Sequence, residues 1–256
     1  MGMKIAITRE VSRSIIDCEL TYHDREPIDV ERARVQHAQY QQALRDLGLT
    51  VIALQEEPDL PDAVFVEDTA LVLDECAVIT RPGAPSRRAE TESIAQALSP
   101  YRRLHRILSP GHIDGGDILR IDRAVYVGKT GRTNEHAVRQ IREILSPHGY
   151  TVETVSVSGC LHLKSAATLV APGTLLVNPD WVEREKFRHV EYVEVDPSEP
   201  RAANALVVNH TVLFPTGYPK TCARLRDAGL GIQLIETGEL AKAEGGLTCC
   251  SLILEA

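Results

Sequence analysis

Short apolar runs recur along this chain at even intervals, and each follows a polar residue. Asp68 leads into residues 69–73, Asp114 into 115–119, His162 into 163–170, Asn204 into 205–208, and Cys249 into the run that ends Ser251-Leu252-Ile253-Leu254. The leading residues are 46, 48, 42 and 45 positions apart. Such runs are too short and too rich in β-branched residues for helices, so they read as strands. After a short turn each of the first four units offers a second strand, at residues 77–81, 124–128, 173–177 and 211–214. The fifth has none before the end at Ala256. Ile5-Ala6-Ile7-Thr8-Arg9, which resembles Val78-Ile79-Thr80-Arg81, can supply it. A repeat of this length predicts a propeller-like array. Pairing the two ends of the chain would close it into a ring and protect its sheet edges.

A second rhythm, with apolar residues every three or four positions, predicts helices between the strand pairs. Residues 30–47 carry Val30, Ala33, Ala38, Leu44 and Leu47 among charged positions and stop at Gly48, a suitable C-cap. Residues 133–148 open on Thr133-Asn134-Glu135, a cap-like start. Residues 87–98 and 218–229 show the same pattern. The fold expected is therefore α/β, a five-bladed α/β propeller with one helix per unit, spanning 1–256 as a single domain.

Composition changes this picture little. The chain is 43% hydrophobic and 25% charged, as in ordinary globular proteins. A formal net charge of −8 with no Lys/Arg-rich run disfavours nucleic acid as partner and mildly favours a cationic small molecule. There is no apolar run of membrane-spanning length and no signal-peptide pattern, which predicts no membrane partner and a cytoplasmic location. The six cysteines lack framework spacing and read as reduced thiols.

In a ring, the repeated leading residues converge near the axis. They include a thiol, an imidazole and two carboxylates. A cysteine thiol is mostly protonated near neutral pH, an imidazole can take its proton, and a carboxylate can orient that imidazole. Nucleophile, base and orienting acid are thus all present. Each alone has a plainer reading. A cysteine among small residues is often core filler, a histidine between leucines is often a satisfied strand residue, and Asp114-Gly115-Gly116-Asp117 can be a tight turn. No HExxH, CxxC or GxGxxG motif supports a metal or a nucleotide, so neither metal nor cofactor is expected.

The sequence resembles the dimethylarginine dimethylaminohydrolases of the guanidine-modifying (pentein) superfamily. The resemblance runs through Phe65-Val66-Glu67-Asp68, the segment from Thr80-Arg81-Pro82-Gly83 to Arg87-Arg88, Asp114-Gly115-Gly116-Asp117, Arg132-Thr133-Asn134, Leu161-His162-Leu163-Lys164, Ala203-Asn204 and Leu247-Thr248-Cys249-Cys250-Ser251. It implies a propeller of ββαβ units, with Cys249 as nucleophile, His162 as general acid/base and Asp114 supporting it. It further implies that Glu67 and Asp68 contact a guanidinium, and that Arg87 and Arg132 hold an amino-acid carboxylate. Asp62 and the Leu20 carbonyl would surround the α-amine. Without the resemblance, Arg87 and Arg88 read as a solvated surface pair.

The implied activity is hydrolysis of Nω-methylated arginines to citrulline and an amine through a covalent thiouronium on Cys249, without a cofactor, in a monomer or homodimer. Two alternatives remain at this point: an arginine deiminase-type hydrolase, and a non-catalytic binding protein on the same fold.

Overall fold

The computed structural model of the chain describes residues 2–256, and in it each unit folds as a three-stranded sheet. The first sheet begins with β1 (Lys4–Arg9), continues through helix α1 (Val30–Asp46) and returns as β2 (Thr50–Leu54), parallel to β1. The second contains β3 (Ala70–Val72), β4 (Ala77–Ile79), α2 (Glu90–Leu98) and β5 (Leu104–Arg106). The third contains β6 (Ile118–Ile121), β7 (Ala124–Lys129), α3 (Glu135–Leu145) and β8 (Thr151–Ser156). A single helical turn, α4 (Leu163–Ala166), leads into β9 (Ala167–Ala171), β10 (Thr174–Val177) and β11 (Glu191–Glu194). The fifth unit contains β12 (Leu206–Val208), β13 (Thr211–Pro215), α5 (Pro219–Asp227) and β14 (Gly231–Ile235).

In every sheet the middle strand is antiparallel to the first and parallel to the third. A tight turn can join the antiparallel pair, whereas the parallel return needs a crossover, which is where the helices lie. The ring closes as its sequence suggests. β15 (Leu252–Glu255) pairs antiparallel with β1, Lys4 opposite Glu255 and Ile7 opposite Leu252. The N-terminal strand is thus the middle strand of a sheet begun by the C-terminus.

The helices form where capping and periodicity place them. Asp29 accepts the Arg32 amide at the start of α1, and Asn134 accepts the Ala137 amide at the start of α3. Gly48, just beyond α1, has φ 87°, the left-handed conformation a helix-ending glycine adopts. Helix α3 turns Ala137, Val138, Ile141 and Leu145 inward against Val125, Val127 and Ile113. Comparable apolar layers fill the spaces between the other sheets. Among the described residues, no helix is long and apolar enough to cross a membrane.

Two expectations need correction. The unit containing β9 to β11 has no crossover helix, only a 3-10 turn at Arg184–Lys186. Its connection starts Asn178-Pro179-Asp180 and lacks an apolar run at helical spacing, so nothing there nucleates or packs a helix. The apolar runs also do not begin as strands. Val66–Thr69, Gly115–Asp117, Leu163–Ala166 and Thr248–Cys250 are short helical turns that then extend into β3, β6, β9 and β15. Asp68 and Cys249 lie within these turns, and Asp114 and His162 immediately precede theirs.

Candidate active site

The five leading residues do not occupy one equivalent position. Asp114 and His162 stand immediately before their turns in extended conformation, with φ, ψ of −98°, 143° and −135°, 161°. Asp68 and Cys249 lie inside theirs, each one residue before the turn ends. The turns differ in length, so near-equal sequence spacing places the four side chains at two levels. Asn204 belongs to neither. Its amide accepts from the Thr248 N–H at 3.1 Å and donates to Thr248 Oγ1 at 3.0 Å and to the Lys164 carbonyl at 3.1 Å. Asn204 is therefore a brace between the turn bearing Cys249 and the one following His162.

His162 is buried, and its Nε2 lies 2.9 Å from Asp114 Oδ2. Asp114 Oδ1 is held by the Gly83 amide at 2.8 Å. On the other edge of the ring, Nδ1 stands 3.8 Å from Asp68 Oδ1. Asp68 accepts from the Gly116 amide at 3.0 Å and from Arg87 Nη1 at 2.6 Å. A side chain at Gly116 would put its Cβ 2.7 Å from His162 Nδ1, so only glycine lets this backbone pass between Asp68 and the imidazole. Asp68, Asp114 and His162 present ligand-type atoms within 4.8 Å of one another, but hydrogen bonds within the protein already engage them.

Charge is distributed unevenly. The Cys249 residue is partly exposed, yet its thiol is enclosed by protein. Desolvation, reinforced by the charges of Glu67 and Asp68, pushes it well above an ordinary thiol, and the Gly246 N–H, 3.4 Å from Sγ, offsets this only in part. For His162, burial alone would lower the pKa. The Asp68 charge, the Asp114 hydrogen bond and the charge of Asp117 outweigh it and raise the imidazole to about 9. Asp68 is likewise opposed by burial but held below the usual carboxylate range by His162 and Arg87. At neutral pH the unliganded site therefore holds a neutral thiol, an imidazolium and an ionised Asp68.

Among these groups lies a small cavity of ≈ 10 Å³, space for about one water. Cys249, His162, Asp68, Asp62, Arg87 and Arg132 line it. Of two larger cavities, one of ≈ 280 Å³ lies elsewhere, and one of ≈ 260 Å³ adjoins this one, sharing Leu161, Glu244 and Gly245; neither is lined by Cys249, His162 or Asp114. Of the other residues singled out in the sequence, Glu67 points its carboxylate away, accepting from Lys164 Nζ and from Thr248 Oγ1, both at 2.6 Å. Leu20 packs against the core beside α1, and it is the neighbouring Glu19 that lines the cavity. Asp62 Oδ2 accepts the Glu19 amide at 3.1 Å and so ties that segment down.

Arg87 corrects the reading of a solvated surface pair. It is 4% exposed, and besides Asp68 it donates to both Glu90 oxygens, at 3.1 and 2.9 Å, and to the Asp62 and Phe65 carbonyls, both at 3.3 Å. The reason is that the 3-10 turn Pro85–Ala89 aims Arg87 inward while Arg88 stays at the rim. Arg132 lies 3.7 Å from Asp114 Oδ2, and its Nη1 is buried without a hydrogen-bond partner.

Sequence reasoning assigned no separate role to Asp117. Its Oδ1 accepts the Leu163 amide at 3.0 Å, and its Oδ2 accepts the Thr130 and Thr133 hydroxyls at 2.5 and 2.6 Å. One buried carboxylate thereby fixes both the His162 turn and the loop of Arg132. The only signal for it in the sequence is its place in Asp114-Gly115-Gly116-Asp117.

Five sheets around an axis, with a thiol, an imidazole and carboxylates gathered on one cavity, define a hydrolase of the pentein class. The sequence profile for "N,N dimethylarginine dimethylhydrolase, eukaryotic" matches residues 17–196. The chain belongs to the dimethylarginine dimethylaminohydrolase family. It is 35% identical to the N(G),N(G)-dimethylarginine dimethylaminohydrolase of Pseudomonas aeruginosa, over 97% of this chain and 98% of that one. To the Streptomyces coelicolor protein of the same name it is 36% identical, over 99% and 98%. A crystal structure of the Pseudomonas aeruginosa enzyme, a cysteine-to-serine mutant complexed with citrulline, superposes with a TM-score of 0.94. That match covers 99% of this chain and 100% of the other at 34% identity.

Proposed function

We propose that this chain hydrolyses Nω-methylated L-arginines, asymmetric dimethylarginine and monomethylarginine, to L-citrulline and dimethylamine or methylamine, with Cys249 as covalent nucleophile. The observation that carries the reading is one cavity lined by a thiol, an imidazolium paired to a carboxylate, and an ionised Asp68. Its relatives' names and the citrulline in the related structure agree with it.

A guanidinium carbon is a poor electrophile because its charge is spread over three nitrogens. Asp68, already ionised, can bind that cation through charge-assisted hydrogen bonds and hold its carbon toward Cys249. The cation also neutralises the acidic surroundings that keep the thiol protonated. On binding, the thiol proton leaves to solvent and the thiolate adds to the guanidinium carbon. The His162 imidazolium gives its proton to the alkylated nitrogen, so the amine departs neutral. This leaves a thiouronium on Cys249 and a neutral imidazole. Water then gives one proton to His162 as its oxygen adds to the thiouronium carbon; the adduct's hydroxyl passes its remaining proton to the departing sulfur, so collapse releases citrulline and restores the neutral Cys249 thiol and the imidazolium. Asp114 holds the ring and favours its charged form throughout. Arg132, with an unused N–H in the cavity, and Arg87 would receive the α-carboxylate. Asp62 and the Leu20 carbonyl would face the α-amine, and Glu67 would support the guanidinium side. The cavity is smaller than such a substrate, and movement of the segment carrying Glu19, which lines it, would widen it for entry.

We further propose a single catalytic domain, 1–256, acting in the cytoplasm. The six free cysteines suit a reducing compartment, and the ring needs strands from both ends of the chain.

The test is turnover of asymmetric dimethylarginine, monomethylarginine and L-arginine, with citrulline and released amine measured together and Cys249→Ser as control. The methylated substrates are expected to exceed arginine by at least tenfold in kcat/KM. A preference for arginine would make the protein a deiminase, and no turnover of any of them would favour a binding role.

A further inference from the structure

Two buried polar atoms in this cavity lack partners, and they carry opposite charge. Five such side-chain atoms occur among the described residues; Arg132 and Glu244, which carry two of them, line this cavity with Asp62, whereas Arg9 and Glu57, which carry two more, already form an ion pair with each other at 2.9 Å. Leaving a buried charged group unsatisfied is costly, so their joint persistence marks a place prepared for a dipolar ligand.

Glu244 is held with care. It lies three residues beyond the short helix Gly238–Ala241, with φ 58°, a left-handed conformation that glycine or asparagine usually fills and that a glutamate adopts at a cost. Its other oxygen, Oε1, accepts three consecutive backbone amides, Thr21 at 3.0 Å, Tyr22 at 2.5 Å and His23 at 2.6 Å. These residues directly follow Glu19 and Leu20, in the segment that covers the cavity. One carboxylate thus faces the covering segment with one oxygen and offers the other without a bond.

We propose that Glu244 is a specificity residue for the amino-acid end of the substrate, its Oε2 receiving the α-ammonium beside Asp62 while Arg132 Nη1 receives the α-carboxylate. The inference rests on the guanidino amino acid reading above and adds a residue to it. Because the same carboxylate holds the amides of residues 21–23, ammonium binding and closure of that segment are coupled. A guanidine without an α-ammonium gains neither.

The experiment compares asymmetric dimethylarginine with its des-amino analogue, 5-(N′,N′-dimethylguanidino)pentanoate, in wild type, Glu244→Gln and Glu244→Ala. Glutamine keeps an oxygen for the three amides but removes the charge. Glu244→Gln should lose tenfold or more in kcat/KM on the amino acid, mainly through KM, and change less than threefold on the analogue. Glu244→Ala should lose activity on both, because the segment is released as well. Equal losses of Glu244→Gln on both substrates would reduce Glu244 to a latch, and no loss on either would remove it from recognition; both overturn the proposal. Calorimetric binding of L-citrulline against des-amino citrulline reads the same contrast without turnover. A wild type that turns over neither substrate, yet loses citrulline affinity on Glu244→Gln, would sink the functional reading and leave the role of Glu244 standing.

Discussion

Arg87 donates to Asp68 at 2.6 Å, with both side chains buried, so the guanidinium expected to hold a substrate's carboxylate already holds the carboxylate expected to bind a substrate's guanidinium. The two ends of the substrate site are therefore built as one unit. Glu90, on the far side of Arg87, completes it.

Removing that arginine takes the cation from Glu90 and leaves Asp68 only the His162 imidazolium, 3.8 Å away. Breaking a buried pair in this way costs about 3–5 kcal/mol. Arg87→Ala is expected to lose that much stability in urea unfolding along with its activity. A variant that lost activity but unfolded like wild type would show that Arg87 serves the ligand alone.

In the unliganded protein the Cys249 thiol is neutral near pH 7, because burial and the Glu67 and Asp68 charges oppose a thiolate. Alkylation by iodoacetamide should be slow at pH 7 and climb with pH beyond 9, without a plateau below it. A guanidinium-bearing ligand that leaves the sulfur reachable should speed it at fixed pH. Thiolate absorbance at neutral pH without ligand would contradict this. Cys249→Ser should abolish turnover with the fold intact, whereas Cys250→Ser, at a sulfur facing the Gly246 carbonyl, should keep activity within about tenfold.

The imidazolium of His162 is maintained near pH 9 in part by Asp114. Asp114→Asn removes a charge and an acceptor, so the His162 pKa falls and the alkaline limb of the pH–rate profile moves to lower pH. The turnover rate should drop by about a hundredfold or more, in keeping with loss of a general acid's contribution. An unmoved alkaline limb would assign that limb to another group.

Asp117 has its pKa raised to about 6 by burial, against the pull of the His162 charge and the two threonine hydroxyls. A carboxylate whose folded pKa is the higher one binds more protons when folded. It therefore destabilises the fold progressively as pH rises from about 4 to about 6. Two units correspond to about 3 kcal/mol. Asp117→Asn cannot ionise, so its stability relative to wild type should improve by up to that amount between pH 4 and 6.5, whatever fixed loss its altered hydrogen bonds impose. A difference independent of pH would mean that Asp117 titrates normally.

How much of this was legible in the chain depends on how local each feature is. Helix α1, from Asp29 at its start to Gly48 after its end, was readable because caps and a 3.6-residue period are local properties. The missing helix before β11 was less so, since a regular repeat suggests a regular unit until its connection is seen to lack an apolar run at helical spacing.

By itself the sequence determined the number of units, the pairing of the chain's ends and the types of chemistry available. A strand must bury its apolar run wherever it lies, and repeated runs bury one another. It also brought Cys249, His162, Asp114 and Asp68 to one end of the ring axis, since repeated units place their leading segments near one another. Only the tertiary structure decided that Asp114 and His162 precede their turns while Asp68 and Cys249 sit within them. It alone turned Arg87 inward, aimed Glu67 at Lys164 and brought Glu244 and Arg132 to one cavity. Those outcomes depend on which distant groups share a small, poorly solvated space. There an unpaired charge is expensive, and neither composition nor period records where that space will be.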